Sequence, residues 1–149
     1  MTLKQWLSNR WIKEHTPTRE EIEDLLSVVE RDISDCLIPD LSTDWKLSIA
    51  YNAALQAAMI ALAASGYRIR QDQSHHYRAV QSLRHTIGAE KEIIARLDAF
   101  RKKRNEMGYE RAWIASEGEA EEMVELAKEL KERVQNWLHE KHPELIERD

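Results

Sequence analysis

The sequence predicts an all-α fold, an up-and-down bundle of about five helices, and three observations predict it. Only four glycines and three prolines occur in 149 residues, too few breakers for the many turns of a sandwich or barrel. Apolar residues recur at three- and four-residue spacing through most of the chain, the pattern of amphipathic helices. No stretch of useful length alternates apolar with polar side chains as a half-buried strand does. The length suits one domain, residues 1–149, with 1–15 as a short N-terminal helix.

Leu3, Trp6, Leu7 and Trp11 share a face and open the chain as that short helix, which stops before Thr16-Pro17. Thr18 then reads as an N-cap, with Glu21 completing a capping box. Ile22, Leu25, Leu26, Val29, Ile33 and Leu37 follow on one apolar face, opposite an acidic one, until Pro39-Asp40. The third helix is the unusual one: Leu47 to Tyr67 runs 21 residues without a charge. That length admits a membrane span. Its many alanines, with Ser48, Asn52, Gln56 and Ser65, favour the central helix of a bundle instead, so no membrane is expected. Asn52 and Gln56, one turn apart, are expected to find interhelical hydrogen bonds, and Gly66 to end the helix.

Ser74 is expected to cap a helix carrying Val80, Leu83 and Ile87 inward, ended by Gly88. Glu90 to Met107 carries Ile93, Ile94, Leu97 and Phe100, and Gly108 breaks it. Ser116 and Glu119 form a further capping box. The last helix then points Met123, Leu126, Ala127, Leu130, Val134 and Trp137 inward, and Pro143 closes the domain.

Charge is unevenly spread within a net of −5. Residues 1–65 hold six basic and ten acidic groups, residues 66–115 eleven and six, residues 116–149 five and eleven. A general nucleic-acid coat is excluded by that acidic total, whereas the positive middle third suits a local anionic ligand. The lone Cys36 permits neither an internal disulfide nor a cysteine-rich zinc site, and fits a reducing, cytoplasmic setting. Lys4, Arg10, Lys13 and Glu14 interrupt the opening residues, so no secretory signal is expected.

No metal site is expected. His75 and His76 diverge by about 100° on a helix, and His139 with His142 is read as a dipole-favoured pair at a helix end. No phosphate-cradling glycine motif or nucleophile elbow occurs, and no cofactor is implied.

The segment RKKRNEMGYE, Arg101 to Glu110, carries the most chemistry. At 100° per residue, Arg104 lies about 20° from Ile93 and Leu97 and about 40° from Phe100. It therefore continues the apolar stripe, while Lys102 and Lys103 point away. An arginine there needs a carboxylate, a partner chain or a phosphate. Asn105 follows, and Tyr109 is expected to fold back beyond Gly108 toward Arg104, which would bring guanidinium, amide and phenol together at one helix end.

The order of these pieces, AYNAALQAAMIALAASGYR, then SHHYRAVQSL, then a helix ending RN-x3-Y, resembles the HEPN family of helical bundles over roughly residues 18–140. Many members of that family are metal-independent ribonucleases, often toxins of toxin–antitoxin systems. They act as dimers that join two Arg-x(4–6)-His motifs, a polar residue following the arginine. Arg104 and Asn105 match that pattern, and Tyr109 stands where the histidine belongs. A phenol of ordinary pKa, about 10, is a poor base at neutral pH, leaving His76 or His85 as replacements.

The resemblance implies a homodimer that binds RNA or a nucleotide through Arg104, Asn105 and Tyr109, with Arg101, Lys102 and Lys103 steering the phosphate. The absent histidine points to a non-catalytic or degenerate relative. The alternatives are a working metal-independent endoribonuclease toxin, and a structural partner or antitoxin-like subunit with exposed tryptophans. An antitoxin or a nucleotidyltransferase is the protein partner that such a family implies.

Overall fold

A computed structural model describes residues 1–72, 74–106 and 114–146. The fold is an all-α bundle: α1 Leu3–Ser8, α2 Arg19–Asp35, α3 Thr43–Ala64, α4 His75–Thr86, α5 Lys91–Glu106 and α6 Glu117–Lys141, closed by a 3-10 turn at Pro143–Leu145. Helix α3 is its axis. It packs against α2, α4, α5 and α6, and thirteen of its 22 residues are buried. By length and composition α3 is able to cross a membrane, yet 72% of its most apolar stretch lies inside the protein. Alanine makes this arrangement possible, because small side chains let several helices approach one another closely at once.

Most helix ends follow the local chemistry. Ser116 and Glu119 close a reciprocal capping box on α6, and Ser42 caps α3 through the Trp45 amide. Gly66 and Gly88 take left-handed φ values of +96° and +69° just past α3 and α4, where a side chain would be strained. Thr18 accepts from the Glu21 amide as expected, but Glu21 does not complete the box. Its carboxylate takes both oxygens to His15 Nε2 at 2.8 Å. Ser74 stands at the N-cap of α4 without a side-chain cap. Asp72 does the work there, accepting from the Ser74 amide at 2.8 Å and pairing with Arg78 at 2.9 Å. The break expected at Gly108 lies outside the described residues.

Two features depart from the sequence reading. The opening helix ends at Ser8, because Arg10 takes a left-handed φ of +61° and turns the chain. Residues Ile12–Glu14 (β1) then pair antiparallel with Tyr67–Ile69 (β2), Ile12 opposite Ile69 and Lys13 opposite Arg68. Strands of three residues are too short to show alternation. Trp6, Ile12, Leu62 and Ile69 form a small second cluster beside the main core. Leu37 lies past the end of α2 and is exposed.

The expected interhelical bond forms at Asn52, whose amide donates to Asp32 Oδ2 at 2.6 Å and ties α3 to α2. Asp32 is buried and also accepts from Arg31 at 3.0 Å. Gln56 makes no such bond among the described residues. On the far side, Arg96 with Glu122 and Lys103 with Glu119 join α5 to α6, and Arg133 reaches back to Glu90. Partly exposed pairs of this kind set register more than they stabilise.

Candidate anion-binding site at the end of helix α5

Residues Arg101 to Asn105 occupy the last turn and a half of α5, where cations also favour the helix dipole. The buried stripe of α5 is Ile94, Leu97 and Phe100. At 100° per residue that stripe is centred on Leu97, from which Arg104 stands about 20° and Arg101 about 40°, so direction around the helix does not separate the two arginines. Arg101, directly after the last buried residue of α5, Phe100, is the inward arginine. Its side chain is 17% exposed, its Nε donates to Asp98 Oδ1 at 2.8 Å, and its guanidinium lies 5.4 Å from the Tyr77 ring centroid.

Arg104 is exposed, contrary to the expectation that it runs along the buried side, because no residue of α5 beyond Phe100 is buried. The basic segment is thereby divided. Lys102 pairs with Asp98 at 3.6 Å and Lys103 with Glu119 at 2.7 Å. Arg104 has no carboxylate partner among the described residues, and Asn105 beside it is exposed. Tyr109, and with it the expected convergence on Arg104, lies outside the described residues.

The charge of Arg104 reaches His76, one of the two histidines named in place of the absent one, and Tyr51, which sequence reasoning did not assign to it. Burial, followed by the charges of His75, Arg104 and Arg101, pushes the His76 pKa down to about 4. The imidazole is therefore a neutral base at pH 7. Beside it, 6.2 Å between ring centroids, lies Tyr51 of α3. Burial raises the Tyr51 phenol to about 12, against the opposing charges of Arg101 and Arg104. Tyr51 is 1% exposed, and its hydroxyl has no hydrogen-bond partner among the described residues. Its only sequence signal was a phenol set in an otherwise alanine-rich, uncharged helix.

His85, the other candidate substitute for the absent histidine, sits elsewhere. It stacks edge-on against Trp6 at 5.3 Å, and burial, then the N-terminal amine and Arg84, lower its pKa. No group of three His, Cys, Asp or Glu gathers as a metal site among the described residues. Of the tryptophans expected at the surface, Trp45 alone is exposed among the described residues, while Trp6 is buried against Trp11 and His85.

Among the described residues the four cations Arg101, Lys102, Lys103 and Arg104 meet two carboxylates, Asp98 and Glu119, and Arg104 is the exposed one in no ion pair. A neutral imidazole and a buried phenol lie within reach of its field. That set suits an oxyanion on the guanidinium, with donors and one proton acceptor within the same cluster.

Two variants probe this chemistry. Tyr51→Phe should leave stability unchanged or raise it by up to about 1 kcal/mol, since it deletes an unpaired buried hydroxyl; a clear loss in urea unfolding would show the hydroxyl to be bonded. His76 binds its proton more weakly folded than unfolded, near 6.5 unfolded against about 4 folded. The unfolded chain therefore takes up the proton first, so stability falls as pH drops from about 6.5 to 4 and levels off below. Discounted for the ring's partial exposure, the loss is about 1–2 kcal/mol. Urea midpoints of wild type and His76→Gln should diverge over that window, and parallel curves would contradict it.

Comparison of the chain with protein-family models, with curated proteins and with solved structures finds no match.

Proposed function

We propose that this protein binds RNA or a nucleotide through its phosphate at the end of α5, as a HEPN-like helical bundle that works as a homodimer. One observation carries the reading. Arg104 and Asn105 are exposed side by side, and Arg104 is without a carboxylate partner among the described residues, whereas Arg101, Lys102 and Lys103 are held by Asp98 and Glu119. In this reading Arg104 supplies the charge, Asn105 a hydrogen-bond donor, and Tyr109 a stacking or donating partner. Lys102, Lys103 and Arg101 contribute a background field, which their carboxylate partners reduce.

A second reading is metal-independent cleavage of RNA, and His76 favours it. Cleavage needs a base for the 2′-hydroxyl, an acid for the leaving oxygen and a cation for the phosphorane. His76 is neutral at pH 7 and feels the charges of both Arg101 and Arg104. A folded pKa near 4 makes it a weak base, so binding without cleavage is the primary reading.

Wild type and Arg104→Ala, incubated with labelled total RNA in a metal chelator, separate the two. Retention by wild type alone, without cleavage, supports the binding module. Cleavage by wild type that is lost in both Arg104→Ala and His76→Gln supports the ribonuclease. If neither protein retains nor cuts RNA, both readings fall and Arg104 faces a protein partner.

A further inference from the structure

A cleft of about 250 Å³ lies between β1–β2, α2 and the second half of α3, and shares no residue with the Arg104 cluster. Its floor is apolar: Leu25 of α2, Met59 and Leu62 of α3, and Ile69 of β2. Two unusual polar features meet at its rim.

The first is a pair of like charges. Lys13 and Arg68 are direct partners across the two-stranded ribbon, so their side chains leave the same face about 5 Å apart, a placement that normally destabilises a sheet. Glu21 relieves it only in part. It approaches Arg68 at 3.7 Å while both its oxygens already accept from His15 at 2.8 Å. Lys13 has no ion-pair partner among the described residues. Two cations against one carboxylate leave one unit of positive charge at the mouth.

The second is Gln56. Its half-buried amide lines the cleft from an otherwise apolar helix and makes no side-chain hydrogen bond among the described residues, unlike Asn52 one turn earlier. A partly buried amide facing an apolar floor gains from a polar partner.

From these we propose that the cleft binds a small organic monoanion: a carboxylate with a compact apolar body. The carboxylate lies between Lys13 and Arg68, the apolar body rests on Leu25, Met59 and Leu62, and the Gln56 amide bonds to a polar edge of the ligand. The volume holds one ring or a short chain, below the range of drug-sized pockets. The single excess charge matches a carboxylate, while the Glu21 carboxylate disfavours a dianion. This site is independent of the Arg104 reading and stands if that reading fails.

The test is an NMR titration of the full chain with benzoate and butyrate, against benzamide and butyramide as neutral isosteres. Saturable shifts at the Gln56 side-chain amide and the Met59 methyl are expected with the acids. The amides should bind at least about tenfold more weakly, and Lys13→Gln/Arg68→Gln should lose benzoate by a similar factor. Inorganic phosphate, which lacks an apolar body, should not displace benzoate. No saturable shift, equal affinity for acid and amide, displacement by equimolar phosphate, or full affinity in the charge-free variant would each overturn the proposal. Should that variant lose the ribbon, Gln56→Leu removes the amide from the opposite wall. It is expected to weaken benzoate, and unchanged affinity there would overturn the proposal equally.

Discussion

An Ile60→Ala variant should lose about 3–5 kcal/mol of stability, the upper part of the range for large-to-small core changes. Ile60 is wholly buried in α3, and five of the eight residues within four positions of it in that helix are alanines: Ala57, Ala58, Ala61, Ala63 and Ala64. The cost of such a change depends on how far neighbours can move into the space left behind. Alanines have no length to move. Four helices already pack on α3, so the void should stay open. Against a typical total of 5–15 kcal/mol, that is a large fraction of the fold. The check is urea unfolding, with a lowered midpoint and an unchanged slope. A loss below about 1.5 kcal/mol would mean that the bundle collapses around α3, and that its close packing is not what holds it.

Asn52→Leu is expected to cost about 2–3 kcal/mol, although it adds apolar surface to an apolar helix. The Asn52 amide donates to Asp32 at 2.6 Å, and Asp32 is 5% exposed. Its remaining donor, Arg31, comes from a side chain 62% exposed and therefore well hydrated. Removing Asn52 leaves a buried carboxylate short of a partner, which costs more than the bond itself contributes. Asp32→Asn keeps an acceptor for Asn52 and should cost less than about 1 kcal/mol. The double variant Asn52→Leu/Asp32→Leu should recover part of the loss, because no charge is then buried. Equal losses in both single variants would contradict this ordering. So would a double variant no more stable than Asn52→Leu alone.

What the sequence made legible was whatever depends on near neighbours. The axis helix was readable because an uncharged stretch of that length has few homes. Gly66, Gly88 and the Ser116–Glu119 box were readable because their chemistry acts within one turn. The β1–β2 ribbon was not, because it pairs residues more than fifty positions apart through strands of three residues. Glu21 illustrates the same limit, since its reciprocal cap gave way to His15 and Arg68 from outside its helix.

The candidate site was half legible for a related reason. Helical angles place Arg104 in line with Leu97 and Phe100 correctly, but how far along α5 the packing reaches is decided by α3 and α4. Burial stops at Phe100, so Arg101 is the arginine held against the protein and Arg104 projects beyond it. Tyr51 and His76 belong to other helices, and only the packing of α3, α4 and α5 brings them into the field of those arginines.

Phosphate binding by Arg104 and phosphate binding by the basic segment as a whole predict different responses to single substitutions. The most direct measurement is the affinity of a labelled single-stranded RNA for wild type, Arg104→Ala and Lys103→Ala, in chelator, across a salt series. Loss of a charge-assisted contact of about 1.5–3 kcal/mol predicts roughly a 10- to 100-fold weaker Kd for Arg104→Ala. One fewer phosphate contact also predicts a salt slope shallower by about 0.7. Lys103→Ala should change little, because Glu119 already holds Lys103 at 2.7 Å. Equal affinity and slope in wild type and Arg104→Ala, or a loss in Lys103→Ala as large as that in Arg104→Ala, would contradict the account.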